Sequence, residues 1–97
     1  MSYGVRFPTE AVQKKFHKAL EAIPPKIQEE VMVAIESLGD NPRPSGQPKI
    51  KPPLIVYQYT AQYRIRVRNY RVLYDVDDKK KVVWVLDIRK RNERTYG

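Results

Sequence analysis

The chain has 97 residues, of which 31% are charged and 41% hydrophobic, and its formal net charge is +8. This length predicts one small domain over residues 1–97, and the lack of cysteine excludes disulfides and thiolate chemistry. No apolar run approaches the roughly 20 residues that a membrane span needs, and residues 1–7 lack the pattern of a signal peptide, so we expect a cytoplasmic protein that does not bind membranes.

A short strand and a helical hairpin are predicted for the N-terminal part. Tyr3, Val5 and Phe7 alternate as in a strand, which Pro8 ends. Thr9 is suited to cap a first helix, whose apolar stripe is Val12, Phe16, Ala19, Leu20 and Ile23. Pro25 is suited to the first turn of a second helix, whose stripe is Ile27, Val31, Ala34, Ile35 and Leu38. The tight connection predicts antiparallel helices.

A proline-rich loop over residues 40–53 separates the helices from a region of alternating apolar and polar residues. Strands are predicted over residues 61–67, 70–76 and 82–89. The order β-α-α-β-β-β predicts an α+β fold of two layers. In this sandwich the N-terminal strand joins a three-stranded antiparallel meander, and the helical hairpin covers one face of the sheet.

The residues of each strand divide between two faces once the turns are fixed. A two-residue turn at Arg68-Asn69 gives these apolar cross-strand pairs: Val67 with Tyr70, Ile65 with Val72, Tyr63 with Tyr74 and Ala61 with Val76. On the opposite face the same turn pairs Arg66 with Arg71 and Arg64 with Leu73. A second turn over residues 77–81 adds to the apolar face Val82, Trp84, Leu86 and Ile88. Trp84 is then predicted to pack under the helices, and Asp87 to lie opposite Arg71.

The face turned away from the helices is predicted to be cationic. It carries three arginines, Arg64, Arg66 and Arg71, around an apolar floor predicted to be Leu73, Val83 and Val85. Two positive charges about 6 Å apart repel by roughly 0.7 kcal/mol in water. Bound phosphates turn that repulsion into attraction, so an anion-binding surface explains the cluster. Long arginine stems that only cover an exposed sheet are the alternative.

The last residues of the chain, RKRNERTYG, bring further candidates beside the same face: Arg89, Lys90, Arg91, Arg94 and Tyr96. Neighbouring cations favour the ionised form of the Tyr96 hydroxyl, which suits that residue to proton transfer, while its ring suits it to base stacking. A frayed terminal tail is the alternative.

The sequence resembles the RelE/ParE toxin superfamily of bacterial and archaeal type II toxin–antitoxin modules. The resemblance covers nearly the whole chain and rests on the helical hairpin that ends in LGDNPRP, the YRIRV..YRVLY hairpin, the VVWVLDIRKR strand and the closing tyrosine. The branch similar to RelE consists of endoribonucleases that cut mRNA in the ribosomal A site. The branch similar to ParE poisons DNA gyrase and lacks the nuclease residues.

The resemblance to the RelE branch implies roles for individual residues. Tyr96 corresponds to its base, Arg71 to the group that stabilises the pentacoordinate phosphate, and Arg91 to the group that aids the leaving oxygen. From its predicted place opposite Arg71, Asp87 is expected to orient that arginine, and action as a base is the alternative. The other basic residues are expected to bind RNA, namely Arg64, Arg66, Arg68, Arg89, Lys90 and Arg94. Two lysines of that branch are arginines here, Arg68 replaces a common glycine, and the spacing from Arg91 to Tyr96 is one residue shorter.

The resemblance also implies an activity and partners. It implies a metal-independent endoribonuclease without a cofactor, and the single histidine, His17, leaves no metal-ligand cluster in the sequence. The expected partners are an acidic cognate antitoxin and the ribosome with its mRNA and rRNA, and the free toxin is expected to be a monomer. A non-enzymatic gyrase inhibitor and a simple RNA-binding domain are the alternatives.

Overall fold

The structure, a computed structural model, describes residues 2–45 and 49–90. In these residues the chain forms two helices, α1 (Glu10–Glu21) and α2 (Pro25–Ser37). The strands are β1 (Gly4–Arg6), β2 (Leu54–Val56), β3 (Tyr59–Ala61), β4 (Tyr63–Val67), β5 (Tyr70–Asp77) and β6 (Val82–Lys90). The predicted α+β order is confirmed, and the pair β2–β3 is an addition to it.

Both helices begin where the sequence predicts. Thr9 caps α1, since its Oγ1 accepts a hydrogen bond from the backbone N–H of Val12 at 3.2 Å. Pro25 occupies the first turn of α2, where its missing N–H leaves no intrahelical bond unmade. The side chains of the predicted stripes that become buried are Val12, Phe16, Leu20, Ile23, Val31, Ile35 and Leu38.

The strands of the main sheet lie in the order β1-β6-β5-β4. The strand β1 runs parallel to β6, and the other neighbours are antiparallel, so the N-terminal strand joins the meander as predicted. The register of β4 on β5 is confirmed, with Ile65 opposite Val72 and Arg66 opposite Arg71. Arg68 takes a φ of 54° in the two-residue turn, a left-handed conformation that glycine adopts more readily.

The predicted pairing of Ala61 with Val76 is wrong. Ala61 ends β3 and lies opposite Leu54 of β2, so the strand predicted over residues 61–67 is divided between two sheets. The hairpin β2–β3 turns at Tyr57 and Gln58, whose φ angles are 49° and 75°. Such turns usually contain glycine or asparagine, and neither residue is of these types. The hairpin was therefore not predicted from the sequence.

The predicted register of β6 is also wrong. The turn occupies residues 78–81 instead of 77–81, so Asp77 lies opposite Val82 and Asp75 opposite Trp84. A bulge between Leu73 and Tyr74 in this pairing then shifts the register again. Of the four β6 residues predicted for the helix face, only Ile88 belongs to the core beneath the helices, whereas Val82, Trp84 and Leu86 do not.

Buried apolar residues among those described form two clusters, one on each face of the sheet. The larger lies under the helices and includes Phe16, Leu20, Tyr74, Val83 and Val85. The smaller lies on the other face, beneath the β2–β3 hairpin, and consists of Ile50, Val56, Ala61, Leu73 and Leu86. The predicted floor of the cationic face is therefore correct for Leu73 and wrong for Val83 and Val85, which lie under the helices. Leu86 and residues of the β2–β3 hairpin lie on that face instead.

Candidate nucleic-acid interface

Three arginines lie side by side across the sheet. Arg66 on β4 is opposite Arg71 on β5, which is opposite Arg89 on β6; we call these residues the arginine row. Directly opposite residues have Cβ atoms about 5 Å apart. Two positive charges about 6 Å apart repel by roughly 0.7 kcal/mol in water, and by more where solvent is partly excluded. The row therefore gathers three cationic side chains where an anion can bind.

The next cross-strand row lies beside the first and consists of Arg64, Leu73 and Asp87. Leu73 is buried, and Arg64 and Arg71 are half-buried with their Nε atoms enclosed. Their guanidinium groups are thus held close to the sheet surface and are partly desolvated. A cation in such surroundings interacts more strongly with a bound anion than a fully hydrated one does.

Asp87 lies beside the arginine row, and it pairs with a different arginine from the one predicted. It lies opposite Leu73, so its expected place opposite Arg71 is wrong. Its Oδ2 accepts a hydrogen bond from Arg89 Nε at 3.0 Å, and its Oδ1 accepts one from the backbone N–H of Ile88 at 2.9 Å. Only 9% of Asp87 is exposed. This geometry suits Asp87 to fixing the direction of Arg89, and ill suits it to collecting a proton.

Arg68 and Lys90 lie apart from the arginine row. Arg68 donates from Nε and Nη2 to the Glu30 carboxylate on α2 at 2.8 and 2.9 Å, and this pairing lowers the pKa of Glu30. Lys90 lies opposite Tyr70, which packs on the core under the helices, so Lys90 is on the helix side of the sheet. The other predicted site residues, Arg91, Arg94 and Tyr96, lie outside the described residues.

His17 belongs to the helical layer. Its ring lies 5.8 Å from that of Phe7 and 6.3 Å from that of Phe16, between centroids. Within residues 2–45 and 49–90, no three His, Asp or Glu side chains gather as metal ligands. No helix of this part of the chain is long and apolar enough to cross a membrane.

A cavity of about 240 Å³, which sequence reasoning missed, opens on the same side of the sheet as the arginine row. Its walls are Pro8, Tyr59, Thr60, Asp75, Trp84 and Leu86. Gln62 Nε2 donates to Asp75 Oδ1 at 3.2 Å, and burial raises the pKa of Asp75. The available signal was the alternation around Asp75, because Tyr74 and Val76 point to the helices and Asp75 must then point away.

The chain is similar to known proteins in sequence and in structure. The sequence model of the ParE toxin of the type II toxin–antitoxin system parDE matches residues 6–95. No curated protein sequence matches the chain.

Solved structures are similar over nearly the whole chain. One is the archaeal RelE–RelB complex of Pyrococcus horikoshii, with 26% identity, a TM-score of 0.70, and 96% of this chain and 99% of that chain covered. Another is the toxin–antitoxin complex RelBE2 of Mycobacterium tuberculosis, with 27% identity, a TM-score of 0.65, and 94% and 93% covered. The isolated RelE toxin of E. coli is 20% identical with a TM-score of 0.66, covers 95% and 87%, and supports the fold alone.

Proposed function

Since the chain belongs to the ParE toxin family of type II toxin–antitoxin systems, within the RelE/ParE superfamily, we propose that it inhibits translation by cutting mRNA in the ribosomal A site. The arginine row carries this proposal. A set of cations carried by one sheet is suited to the charge that gathers on a phosphate during cleavage.

The reaction proposed is a metal-independent transesterification. The 2′-oxygen attacks phosphorus, the bond to the 5′-oxygen breaks, and the products are a 2′,3′-cyclic phosphate and a 5′-hydroxyl. We assign the stabilisation of the pentacoordinate phosphate to Arg71, because it is half-buried and lies between Arg66 and Arg89. Arg64 and the outer members of the row would then hold the adjoining phosphates of mRNA and rRNA.

Proton transfer is assigned to the C-terminal residues. Tyr96, in its ionised form, is proposed to take the proton of the 2′-hydroxyl, and Arg91 to stabilise the charge on the departing 5′-oxygen, which takes up a proton from water. Two observations on the described residues support a base among the C-terminal residues. The carboxylate of Asp87 already accepts from Arg89 and from the backbone N–H of Ile88, and His17 contacts aromatic rings of the helical layer.

The same surface is the proposed site of a cognate antitoxin. The similar structures from Pyrococcus horikoshii and Mycobacterium tuberculosis are toxin–antitoxin complexes. Residues 61–97 of this chain hold eleven Lys and Arg against five Asp and Glu, so an acidic antitoxin segment would complement them. By covering the arginine row it would exclude RNA from the phosphate site.

Inhibition of DNA gyrase is the second candidate function. The observation that favours it is the match of residues 6–95 to the ParE toxin model. In that case the arginine row would contact gyrase or its DNA, and no bond in RNA would be cut.

The two candidates are separated by assaying one purified protein in parallel. Reverse transcription of mRNA from a reconstituted translation system maps cuts to the A site, and a supercoiling assay reports on gyrase. We expect A-site cuts whose single-turnover rate falls about 10²–10³-fold in Arg71→Ala. Lys79→Ala, which removes an exposed cation from the β5–β6 turn, should cleave at the wild-type rate. Uncut mRNA together with lost supercoiling would establish the gyrase alternative.

A further inference from the structure

The cavity beside Asp75 is built by several elements of the fold and takes no part in the reaction proposed above. Asp75 on β5 lies directly opposite Trp84 on β6. The bulge brings Leu86 to the same face, β3 contributes Tyr59 and Thr60, and Pro8 follows β1. Because strands and a tight hairpin carry its walls, the cavity is preformed.

The chemistry of the walls is that of a binding site for a flat, polar ring. Trp84 and Tyr59 supply aromatic surface, and Leu86 supplies an apolar base. A volume of about 240 Å³ falls just below the range of drug-sized pockets, which corresponds to a single small ring system. Aromatic side chains bind bases of single-stranded RNA by stacking, whichever base is present.

Asp75 adds a selective group to this pocket. An ionised carboxylate has about four acceptor positions, and Gln62 and the backbone of Val76 supply hydrogen bonds to it. The contact with Gln62 fixes the carboxylate and leaves it acceptor capacity for a ligand. A carboxylate accepts hydrogen bonds and does not donate them, so it favours a ring that presents amino hydrogens.

The position of the cavity connects it to the arginine row. Asp75 and Arg71 are on one strand and point to the same side of the sheet, and four residues of strand span about 13 Å. Leu73 lies between them on that face and is buried in the smaller apolar cluster. A single RNA strand with one phosphate on the row therefore reaches the cavity within a few nucleotides.

We propose that this cavity binds one unstacked base of the RNA substrate, held against Trp84 and selected by Asp75 for an exocyclic amino group. The inference rests on the proposed function in that RNA is the ligand. Adenine, cytosine and guanine carry such an amino group, whereas uracil has none and offers a carboxylate only its N3–H, which lies between two carbonyl oxygens that the carboxylate repels. The toxin would thereby read one position near the cut.

Trp84 gives a direct binding measurement, because it is the single tryptophan of the sequence. Short oligonucleotides of A, C or U, with phosphorothioate linkages, are titrated against wild-type protein while Trp84 fluorescence is recorded. We expect A- or C-containing oligonucleotides to quench fluorescence with roughly tenfold higher affinity than oligo-U. Asp75→Asn should remove that preference. Asp40→Asn, an exposed matched substitution beyond α2, should retain it.

The same variants are then compared on mRNAs that differ in one base near the A-site cut. Preference for amino-bearing bases at one position, lost in Asp75→Asn, supports the pocket. A preference that Asp75→Asn leaves unchanged overturns the pocket while the nuclease stands. Amino-selective quenching without any cleavage overturns the nuclease while the pocket stands. Quenching by basic peptides and not by any RNA would assign the cavity to a protein partner and overturn the proposal.

Discussion

Single residues beside the arginine row can serve two purposes, the proposed attraction of RNA and the orientation of a neighbouring side chain. Asp87 is the clearest case, because it places a negative charge beside three arginines that are proposed to bind phosphate. An acid at that point weakens the attraction for any polyanion. Its contact with Arg89 offsets this by holding one guanidinium group in a defined orientation, which matters for catalysis more than for affinity.

This view predicts opposite effects of Asp87→Asn on binding and on rate. Removing the negative charge should tighten binding to single-stranded RNA at low salt. Freeing Arg89 should slow single-turnover cleavage on saturated ribosomes by roughly tenfold or more, because the cation is no longer positioned. Circular dichroism would verify that the variant is folded. A variant that binds more tightly and cleaves faster would show that Asp87 only weakens the site.

Asp75 illustrates a residue whose presence opposes stability. Burial raises the pKa of Asp75 above the ordinary value of 3.8, so its carboxyl binds a proton more readily in the folded chain than in the unfolded chain. The stability contributed by that proton is present at low pH and is lost as pH rises through the folded-state pKa. At neutral pH the fold therefore carries a carboxylate that folding partly desolvates.

Asp75→Asn should accordingly stabilise the protein at pH 7, by less than about 5 °C in Tm. The difference from wild type should shrink as the pH falls, because the wild-type carboxyl then gains its proton. Thermal unfolding across this pH range measures both effects. A variant less stable than wild type at pH 7 would mean that the contact with Gln62 outweighs the desolvation of the carboxylate.

At the scale of elements, the junction between α2 and β1 is held by a close backbone approach. Tyr3 N–H donates to Gly39 O at 2.6 Å, and a Cβ on Gly39 would lie 3.0 Å from Tyr3 O and 3.2 Å from Glu36 O. We expect Gly39→Ala to destabilise the fold by about 1–3 kcal/mol, because backbone atoms must move. Gly4→Ala, whose Cβ would meet its nearest atom at 3.6 Å, is the matched control and should be nearly neutral in urea unfolding.

The bulged pairing of β5 and β6 decides which aromatic residues support the core. Phe16 is 1% exposed beneath the sheet, whereas Trp84 is half-buried on the opposite face. Phe16→Ala should therefore cost about 3–5 kcal/mol, and Trp84→Ala only about 1–2 kcal/mol. A folded Trp84→Ala protein that has lost base preference is the expected result. Equal losses of unfolding free energy would contradict the assignment of Trp84 to the outer face.

For the molecule as a whole, the sequence was informative wherever a local signal fixed the geometry. Thr9 and Pro25 marked the helix starts, and the alternation around the Arg68 turn fixed Arg66 opposite Arg71. The second hairpin lacked such a signal, because the polar run over residues 77–81 admits turns of different length.

The strand that follows this run, VVWVLDI, is apolar on both faces and so does not determine its own register. The bulge that brings Leu86 outward could not be read from it. For the same reason the partner of Asp87 was predicted wrongly and the cavity at Trp84 was missed. The pair of Arg66 with Arg71 lies in the other hairpin and was predicted correctly.

The position of the charges can be tested separately from the net charge. Two variants with the same net charge are compared, which differ in where the positive charge is removed. Arg66 belongs to the arginine row, while Lys79 lies in the turn at the opposite end of β5. Each variant, Arg66→Ala or Lys79→Ala, removes one positive charge. If RNA follows the row, Arg66→Ala should lower the slope of log affinity against log salt by about 0.7, and Lys79→Ala should leave it unchanged. Anisotropy titrations of a labelled single-stranded RNA at several salt concentrations give these slopes. Equal slopes for the two variants would mean that RNA responds to the net charge of +8 and not to the row of arginines on the sheet.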